Sequence, residues 1–188
     1  MTSHYLINDL QPVSTETADE AQTDLLSDAK KKIGFVPNMY RNMANLPAYL
    51  DTYLHGYDLF RSQSGFTSSE QEVVFLALSK SNGCDYCVAA HSTLAANFSG
   101  VPEDILSAIR AGTIITDDKI AALYAMAVEV NDSRGRPNPN TVKTFLEAGY
   151  SEKDLLAVIL ALSVKILSNY SNHIFDTDVD AAFVKYKV

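Results

Sequence analysis

The sequence has no strongly basic segment. Its 15 Lys and Arg residues are outnumbered by 23 Asp and Glu residues, and the longest basic run is Lys30-Lys31-Lys32. A net charge of -8 without a basic face argues against binding to nucleic acid. Small molecules and other proteins are therefore the expected partners.

The sequence also lacks a segment typical of export or of membrane insertion. The stretch MTSHYLINDLQPVSTETADEAQ is acidic and has neither a basic n-region nor an apolar run of signal-peptide length. The longest strongly apolar stretch, LLAVILALSV at 155–164, is shorter than the roughly 18 to 20 residues that cross a bilayer. We therefore expect a cytoplasmic protein without a membrane segment.

Strand signals are scarce, since no sustained apolar and polar alternation is bounded by Asn-Gly or Asp-Gly turns. Capping residues, prolines and glycines instead fall where helices begin and end. One helix is predicted to end with lysines and Gly34, another to run from Pro47 to Gly65, and an apolar one to end at Gly83. The segment SRGRPNPN at 133–140 is the one clear loop. The sequence therefore predicts an all-α fold.

A faint internal repeat accompanies this helical pattern. A shift of 82 positions places Ser69, Glu70, Glu72, Val73, Val74 and His91 on Ser151, Glu152, Asp154, Leu155, Leu156 and His173. The second copy has no cysteines, so the scaffold is repeated without the thiols. Gly65 and Gly149 align only with a shift of 84, which leaves the register of the repeat open.

Cysteine is scarce too, and both cysteines lie in the stretch NGCDYCVAAHS at 82–92. Cys84, Cys87 and His91 share one face of a helix that begins after a glycine. A thiol with a reference pKa of about 8.5 becomes a thiolate at neutral pH when a helix N-terminus or a base assists it. In a reducing compartment this spacing is typical of a catalytic, redox or metal-binding pair rather than of a structural disulfide.

Two other interpretations of the cysteines stay open. Cysteine is a small apolar residue, so both thiols could simply pack in a core. Zinc could bind Cys84, Cys87 and His91 with His173 or Glu72 as a fourth ligand, although three ligands on one helix face do not readily enclose a tetrahedral ion. Covalent haem attachment is excluded because Val88 occupies the position where that motif has histidine.

The role of Glu72 depends on which residue caps the preceding helix. Three overlapping capping boxes are present: Thr67 with Glu70, Ser68 with Gln71, and Ser69 with Glu72. If Ser69 is the cap, the Glu72 carboxylate binds the helix backbone. If the cap lies earlier, Glu72 is free to enter the site, and the sequence does not decide between the two.

The spacing of Glu72, Cys84, Cys87 and His91 resembles the motif of the alkylhydroperoxidase D-like (AhpD-like) proteins in the carboxymuconolactone decarboxylase-like superfamily. The stretches GFVPNMYRNMANLPAYLDTYLHGYDLF and SNYSNHIF resemble its peroxidase-related branch. The resemblance implies a single AhpD-like helical bundle over 1–188, with a core at about 33–178 and a helical N-terminal extension. It also implies trimeric or hexameric homo-oligomers and hydroperoxide reduction by thiols, without a metal or other cofactor.

The resemblance also implies roles for the motif residues. It makes Cys87 the peroxidatic cysteine, Cys84 the resolving cysteine, His91 the base, and Glu72 the acid that orients the base or relays protons. The helix dipole alone favours Cys84 as the more acidic thiol, whereas the spacing to His91 favours Cys87, which we expect to be the nucleophile. The family has histidine where this chain has Tyr86, which makes Tyr86 an accessory candidate. His173, beside Asn169 and Asn172, is another, because the repeat would place it at the same cavity; the alternative is a hydrogen-bonded histidine at a helix end.

The expected function is reduction of a small-molecule hydroperoxide through a sulfenic acid and then a disulfide. A lipoyl-bearing or thioredoxin-like dithiol protein would restore the thiols. The alternatives are a disulfide reductase, a non-catalytic redox sensor and, since it names the superfamily, a lactone decarboxylase. The cysteine pair argues against the decarboxylase, which generally lacks it.

Overall fold

Helices form all the regular secondary structure of residues 9–188, the part of the chain that the computed structural model describes. The first eight residues of the predicted domain lie outside it. The predicted all-α fold is confirmed, since the described residues contain no strand. The α-helices are α1 Glu20–Ile33, α2 Asn38–Met43, α3 Pro47–Gln63, α4 Ser68–Ser81, α5 Asp85–Asn97, α6 Glu103–Ala111, α7 Asp118–Asp132, α8 Pro139–Glu147 and α9 Glu152–Phe175, followed by a 3-10 helix at Ala181–Tyr186.

The two ends of α1 and the start of α3 lie where the sequence predicts them. Asp19 and Gln22 form a reciprocal capping box at the start of α1, and Gly34 ends α1 in the left-handed conformation after three lysines. Pro47 opens α3, where its missing N–H costs no helical hydrogen bond. Capping residues and helix breakers therefore locate these helix ends from sequence alone.

Helix α4 lies at the centre of the fold. Every residue from Glu70 to Ser79 is buried, and the helix packs against α5, α7 and α9. Burial on all sides explains why its sequence lacks a polar face. The polar residues that α4 carries must therefore find partners inside the protein.

The cap of α4 is Thr67. Its hydroxyl accepts a hydrogen bond from the Glu70 backbone N–H at 3.2 Å, and Glu70 accepts one from the Thr67 backbone at 2.9 Å. The Glu70 carboxylate also binds Lys119 of α7 at 2.9 Å and the Tyr150 hydroxyl at 3.0 Å. Because Glu70 completes the capping box, the Glu72 carboxylate does not cap the helix backbone and is available to the site.

A tight turn connects α4 to α5. Gly83 adopts the left-handed conformation with a φ of 68° and donates its N–H to Lys80 O at 3.0 Å, while the N–H of Cys84 reaches Ser79 O at 2.9 Å. These two bonds form a Schellman motif, which needs a residue without a Cβ at the left-handed position. Cys84 thus becomes the N-cap residue of α5.

The internal repeat at a shift of 82 is wrong in register. Ser151 and Asp154 form the capping box of α9, so they correspond to Thr67 and Glu70 of α4. That correspondence needs the larger shift that also aligns Gly65 with Gly149. Helix α9 also continues without a break where the first copy turns from α4 into α5. The acid and the histidine of the two copies are therefore not equivalent.

Helix α9 extends beyond the apolar run at 155–164 on both sides. Its 24 residues, with a mean hydropathy of 1.4 in the most apolar window, are long and apolar enough to cross a membrane by length and composition. However, 44% of that window is buried against other helices, and the buried face carries Lys165. A core helix has the same composition, and the contacts of α9 with α3, α4 and α7 agree with that role.

We predict that Thr67→Ala lowers the free energy of unfolding by about 1 kcal/mol, the usual cost of losing an N-cap. Urea unfolding followed by circular dichroism measures the change. Ser68→Ala is the matched control, because Ser68 is exposed and lies inside the first turn of α4. Its effect should stay below about 0.5 kcal/mol. Equal effects of the two substitutions would contradict the assignment of Thr67 as the cap.

Candidate active site

The Cys87 thiol lines an aromatic cavity of about 180 Å³. Its apolar wall is formed by Ile33, Met39, Tyr40, Tyr53, Tyr57, Tyr86, Leu94 and Phe183. The polar side chains at this wall include Cys87, His91 and Lys165. The cavity therefore brings a thiol, an imidazole and a cation against a surface suited to an apolar molecule.

Cys84 borders a different pocket. This second pocket, of about 140 Å³, is bordered by Lys80, Gly83, Asp85 and Arg110. Cys84 and Cys87 are both free and buried, at the N-cap and in the first turn of α5. The two cysteines thus border different openings of the protein.

An amide from α9 holds the two sulfurs. The side-chain N–H groups of Asn172 donate to Cys87 Sγ at 3.3 Å and to Cys84 Sγ at 3.7 Å. The same amide nitrogen lies 3.2 Å from Met39 Sδ. A donor aimed at a sulfur stabilises the thiolate form more than the thiol.

Glu72 is 1% exposed and forms an ion pair with Arg61 of α3. The Arg61 guanidinium lies 4.8 Å from the centres of both the Tyr57 and the Phe75 rings. Burial alone would raise the pKa of Glu72, but the contacts with His91 and Arg61 lower it below its ordinary value. Glu72 is thus a carboxylate with a fixed cationic partner.

Both ring nitrogens of His91 are occupied. Nδ1 lies 2.8 Å from Glu72 Oε2, and Nε2 lies 3.0 Å from Lys165 Nζ. The carboxylate only accepts and the ammonium only donates, so Nδ1 carries the proton and Nε2 is the acceptor. Burial and the charge of Lys165 lower the pKa of His91, against the Glu72 carboxylate that raises it. His91 is therefore a neutral imidazole with a fixed tautomer.

The two thiols differ in acidity. Burial alone would raise the pKa of Cys87, but a hydrogen bond with Cys84 and the charge of Lys165 hold it well below its ordinary value. The same hydrogen bond, with burial, raises the pKa of Cys84. Cys87 is therefore the thiolate of the pair and Cys84 the thiol that donates to it.

Tyr86 closes one side of the cavity. Its hydroxyl donates to Asp180 Oδ2 at 2.5 Å, and Asp180 also accepts from the backbone N–H of Asn38 at 3.2 Å. Burial raises the pKa of Tyr86, and the adjacent Asp180 raises it further. The Tyr86 ring meets Phe183 edge to face, with 6.2 Å between ring centres. Tyr86 therefore ties the 3-10 helix to α5 and shapes the cavity.

The structure brings together Glu72, Cys84, Cys87 and His91, but it excludes His173. The His173 side chain is exposed and stacks beside Tyr170 at 6.3 Å between ring centres, so the expectation that it lines the cavity is wrong. The adjacent Asn172 points into the site instead.

The donor atoms also argue against the zinc arrangement considered from the sequence. Within residues 9–188 no cluster of three or more His, Cys, Asp or Glu side chains is arranged to hold a metal ion. Of the two residues suggested as a fourth ligand, Glu72 is paired with Arg61 and His91, and His173 faces outward.

Sequence reasoning missed Lys165, Arg61 and Asn172. Lys165 is 1% exposed and is the one charged residue between 155 and 175, where its spacing from Ala161 and Val164 puts it on the buried face of α9. A lone charge on an apolar helix face was thus a usable signal. No comparable sequence signal marked Arg61, because a basic residue near a helix C-terminus is common.

Residues 47–129 match the model of the carboxymuconolactone decarboxylase family. This segment contains α3 to α6 and most of α7, and thus Arg61, Glu72, both cysteines and His91. Lys165 and Asn172 lie beyond it. A comparison with curated proteins finds no match.

Three similar solved structures cover almost the whole chain. An uncharacterized peroxidase-related protein of Ralstonia eutropha JMP134 with an alkylhydroperoxidase AhpD core is 20% identical, with a TM-score of 0.79 over 93% of each chain. An uncharacterized peroxidase-related protein of Silicibacter sp. TM1040 is 16% identical, with a TM-score of 0.76 over 95% of this chain and 97% of its own.

The third is a cysteine-to-alanine variant of the debrominase Bmp8 in complex with 2,3,4-tribromopyrrole, 15% identical, with a TM-score of 0.79 over 97% of each chain. These structures share the fold, and their names differ in activity. Residues 47–129 are therefore similar to the carboxymuconolactone decarboxylase family, and the chain as a whole shares the fold of these peroxidase-related structures.

Proposed function

We propose that the protein is a thiol-dependent hydroperoxide reductase that serves antioxidant defence. The observation that carries the proposal is the thiol pair: Cys87, the more acidic sulfur, faces an aromatic cavity and has Cys84 as its hydrogen-bonded neighbour. A peroxide needs a desolvated thiolate as nucleophile and a second thiol to complete its reduction.

The proposed cycle begins when the Cys87 thiolate attacks the O–O bond of the peroxide. Cys87 becomes a sulfenic acid and the alkoxide leaves as an alcohol after it takes up a proton. The Cys84 thiol then condenses with the sulfenic acid, which releases water and forms a disulfide. Glu72 and His91 act as the proton relay of this site, with Glu72 holding the imidazole in one tautomer.

A dithiol reductant resets the enzyme in this proposal. Its thiolate attacks the Cys84 sulfur, because the Cys87 thiolate has the lower pKa and is the better leaving group. The pocket beside Lys80 and Arg110 supplies an approach to Cys84 that does not cross the peroxide cavity. A lipoyl-bearing or thioredoxin-like protein in the cytoplasm would serve as this partner.

Reductive dehalogenation of a small aromatic ring is a second candidate function. The observation that favours it is the lining of the cavity by the four rings of Tyr40, Tyr53, Tyr57 and Tyr86, next to a thiolate. The fold is also that of a debrominase crystallised with a tribromopyrrole. Hydroperoxide reduction stands first because it is the activity that the spacing of Glu72, Cys84, Cys87 and His91 implies by resemblance.

We also propose that the protein forms a homo-oligomer, trimeric or hexameric as the resemblance implies. Four large apolar side chains of α9, at Leu156, Ile159, Ile166 and Tyr170, are exposed along one face of the helix. An exposed apolar face of this kind is typical of a surface that a partner covers.

We predict that Cys87→Ser abolishes turnover of cumene hydroperoxide with excess dithiothreitol, since the nucleophile is lost. In the absence of dithiothreitol, Cys84→Ser should instead react with one equivalent of peroxide and stop as a sulfenic acid, because no thiol is present to condense with it. Dimedone labelling followed by mass spectrometry detects that acid.

The wild-type protein is the control for both variants, with bromopyrrole added in a parallel assay. A disulfide that forms once without sustained consumption of peroxide would indicate the redox sensor. Bromide release in place of peroxide consumption would indicate the dehalogenase. Full turnover by Cys87→Ser would contradict the assignment of the nucleophile.

We predict that Phe183→Ala raises KM for cumene hydroperoxide roughly tenfold, because about 1.4 kcal/mol of apolar contact corresponds to a factor of ten. KM for hydrogen peroxide, which has no apolar group, should change less than about threefold. Steady-state kinetics with both peroxides measure the difference. Val184→Ala is the matched control, since Val184 is on the same 3-10 helix, is 59% exposed and does not line the cavity. Equal changes for both peroxides would contradict the role of the cavity in selecting apolar substrates.

A further inference from the structure

We propose that Lys165, rather than His91, is the immediate proton and charge partner of Cys87. Its ammonium holds Cys87 as a thiolate and gives a proton to the alkoxide that leaves, and His91 positions that ammonium. The proton-transfer half of this inference rests on the proposed hydroperoxide reduction. The charge-pairing half concerns the resting protein and is independent of any substrate.

The first argument is the burial of Lys165. The side chain is 1% exposed, and Nζ lies 3.0 Å from His91 Nε2 and 5.4 Å from the centre of the Phe75 ring. The neutral imidazole and the ring contribute a hydrogen bond and a cation–π contact, but neither carries a negative charge. A buried ammonium needs an anion as counter-charge.

The second argument is the balance of charge in the site. Glu72 is already paired with Arg61 and hydrogen-bonded to His91. Cys87 lines the same cavity as Lys165. Against the effect of burial, the hydrogen bond with Cys84 and then the charge of Lys165 lower the pKa of Cys87. Arg61 with Glu72 and Lys165 with Cys87 thus form two neutral pairs.

The third argument is the geometry of His91. Its Nδ1 proton is donated to Glu72, and its Nε2 lone pair accepts from Lys165. Neither nitrogen is left to take a proton from Cys87 directly. A proton that leaves the Cys87 thiol therefore reaches the imidazole only by way of Lys165.

The other titratable groups of the site do not supply a competing charge. Lys165, Cys87 and His91 are surrounded by titratable groups from four helices and the 3-10 segment. These groups are Cys84 and Tyr86 at the start of α5, Glu72 of α4, Arg61, Tyr53 and Tyr57 of α3, Tyr40 of α2, and Asp180 behind Tyr86. Burial raises the pKa values of all four tyrosines, so these remain neutral at physiological pH. Asp180 is engaged by Tyr86 and the backbone of Asn38.

The proposed step balances in atoms and charge. The Cys87 thiolate takes the terminal oxygen of the peroxide and is oxidised to a sulfenic acid, while the O–O bond breaks and the alkoxide takes a proton from Lys165. Condensation with the Cys84 thiol releases water and leaves Lys165 as a neutral amine. When a dithiol reduces the disulfide, one of its two protons returns to Lys165 and restores the ion pair.

The test measures the pH dependence of Cys87 alkylation by iodoacetamide, in the Cys84→Ser background so that one thiol reacts. We expect Lys165→Met and Lys165→Gln to raise the midpoint of the alkylation profile by at least about one pH unit, and to slow alkylation roughly tenfold at pH values below the parent midpoint. Lys165→Arg retains the charge and should stay near the parent midpoint. His91→Asn keeps the ammonium and should shift the midpoint less than Lys165→Met does.

Two results would overturn the inference: an unchanged midpoint in both Lys165→Met and Lys165→Gln, or a shift in His91→Asn as large as theirs. Circular dichroism of each variant identifies any loss of fold, and two neutral replacements guard against one that fails to fold. Peroxide turnover with both cysteines present is measured separately. A wild-type protein without turnover, whose Lys165 variants still shift the midpoint, would refute the proposed function and leave the Cys87–Lys165 pair intact.

Discussion

The rest of the structure depends on a series of four charged or hydrogen-bonded side chains, of which three are buried and Arg61 is partly buried. Arg61, Glu72, His91 and Lys165 come from α3, α4, α5 and α9 and contact one another in that order. Removing one member of a buried ion pair costs about 3 to 5 kcal/mol, because the remaining charge is left without a partner. This series of side-chain contacts therefore fixes the register of the four helices relative to one another.

The positions at which α4 begins and ends decide whether that series of contacts can form. At the N-terminus, the choice of Thr67 as cap engages Glu70 and leaves Glu72 to face the site. At the C-terminus, the Schellman motif at Gly83 turns the chain so that Cys84 begins α5 and Cys87 lies in its first turn. Glu72 and the thiols thus reach one site because the helix between them has defined ends.

The sequence predicts this fold better than it predicts this site. Helix boundaries depend on local signals such as caps, prolines and glycines, and the motif from Glu72 to His91 lies within two consecutive helices. The contact of Lys165 with His91 joins residues 74 positions apart and depends on how α9 packs against α5. The choice between three capping boxes and the register of the repeat were likewise decided by packing. Local sequence signals identify the helices, whereas the charge pairs between helices depend on how the helices pack in the tertiary structure.

The arrangement of charge also favours turnover over a lasting disulfide. In the reduced site, the Cys87 thiolate balances the Lys165 ammonium, while Glu72 balances Arg61. Oxidation to the disulfide removes the one negative sulfur and leaves a buried cation without a counter-charge unless Lys165 loses its proton. Interactions that stabilise the reduced form raise the reduction potential of a dithiol pair, as they do in strongly oxidising thiol enzymes. A disulfide between Cys84 and Cys87 would therefore be readily reduced, which suits a site that must be reset after each reaction rather than a cross-link that holds the fold together.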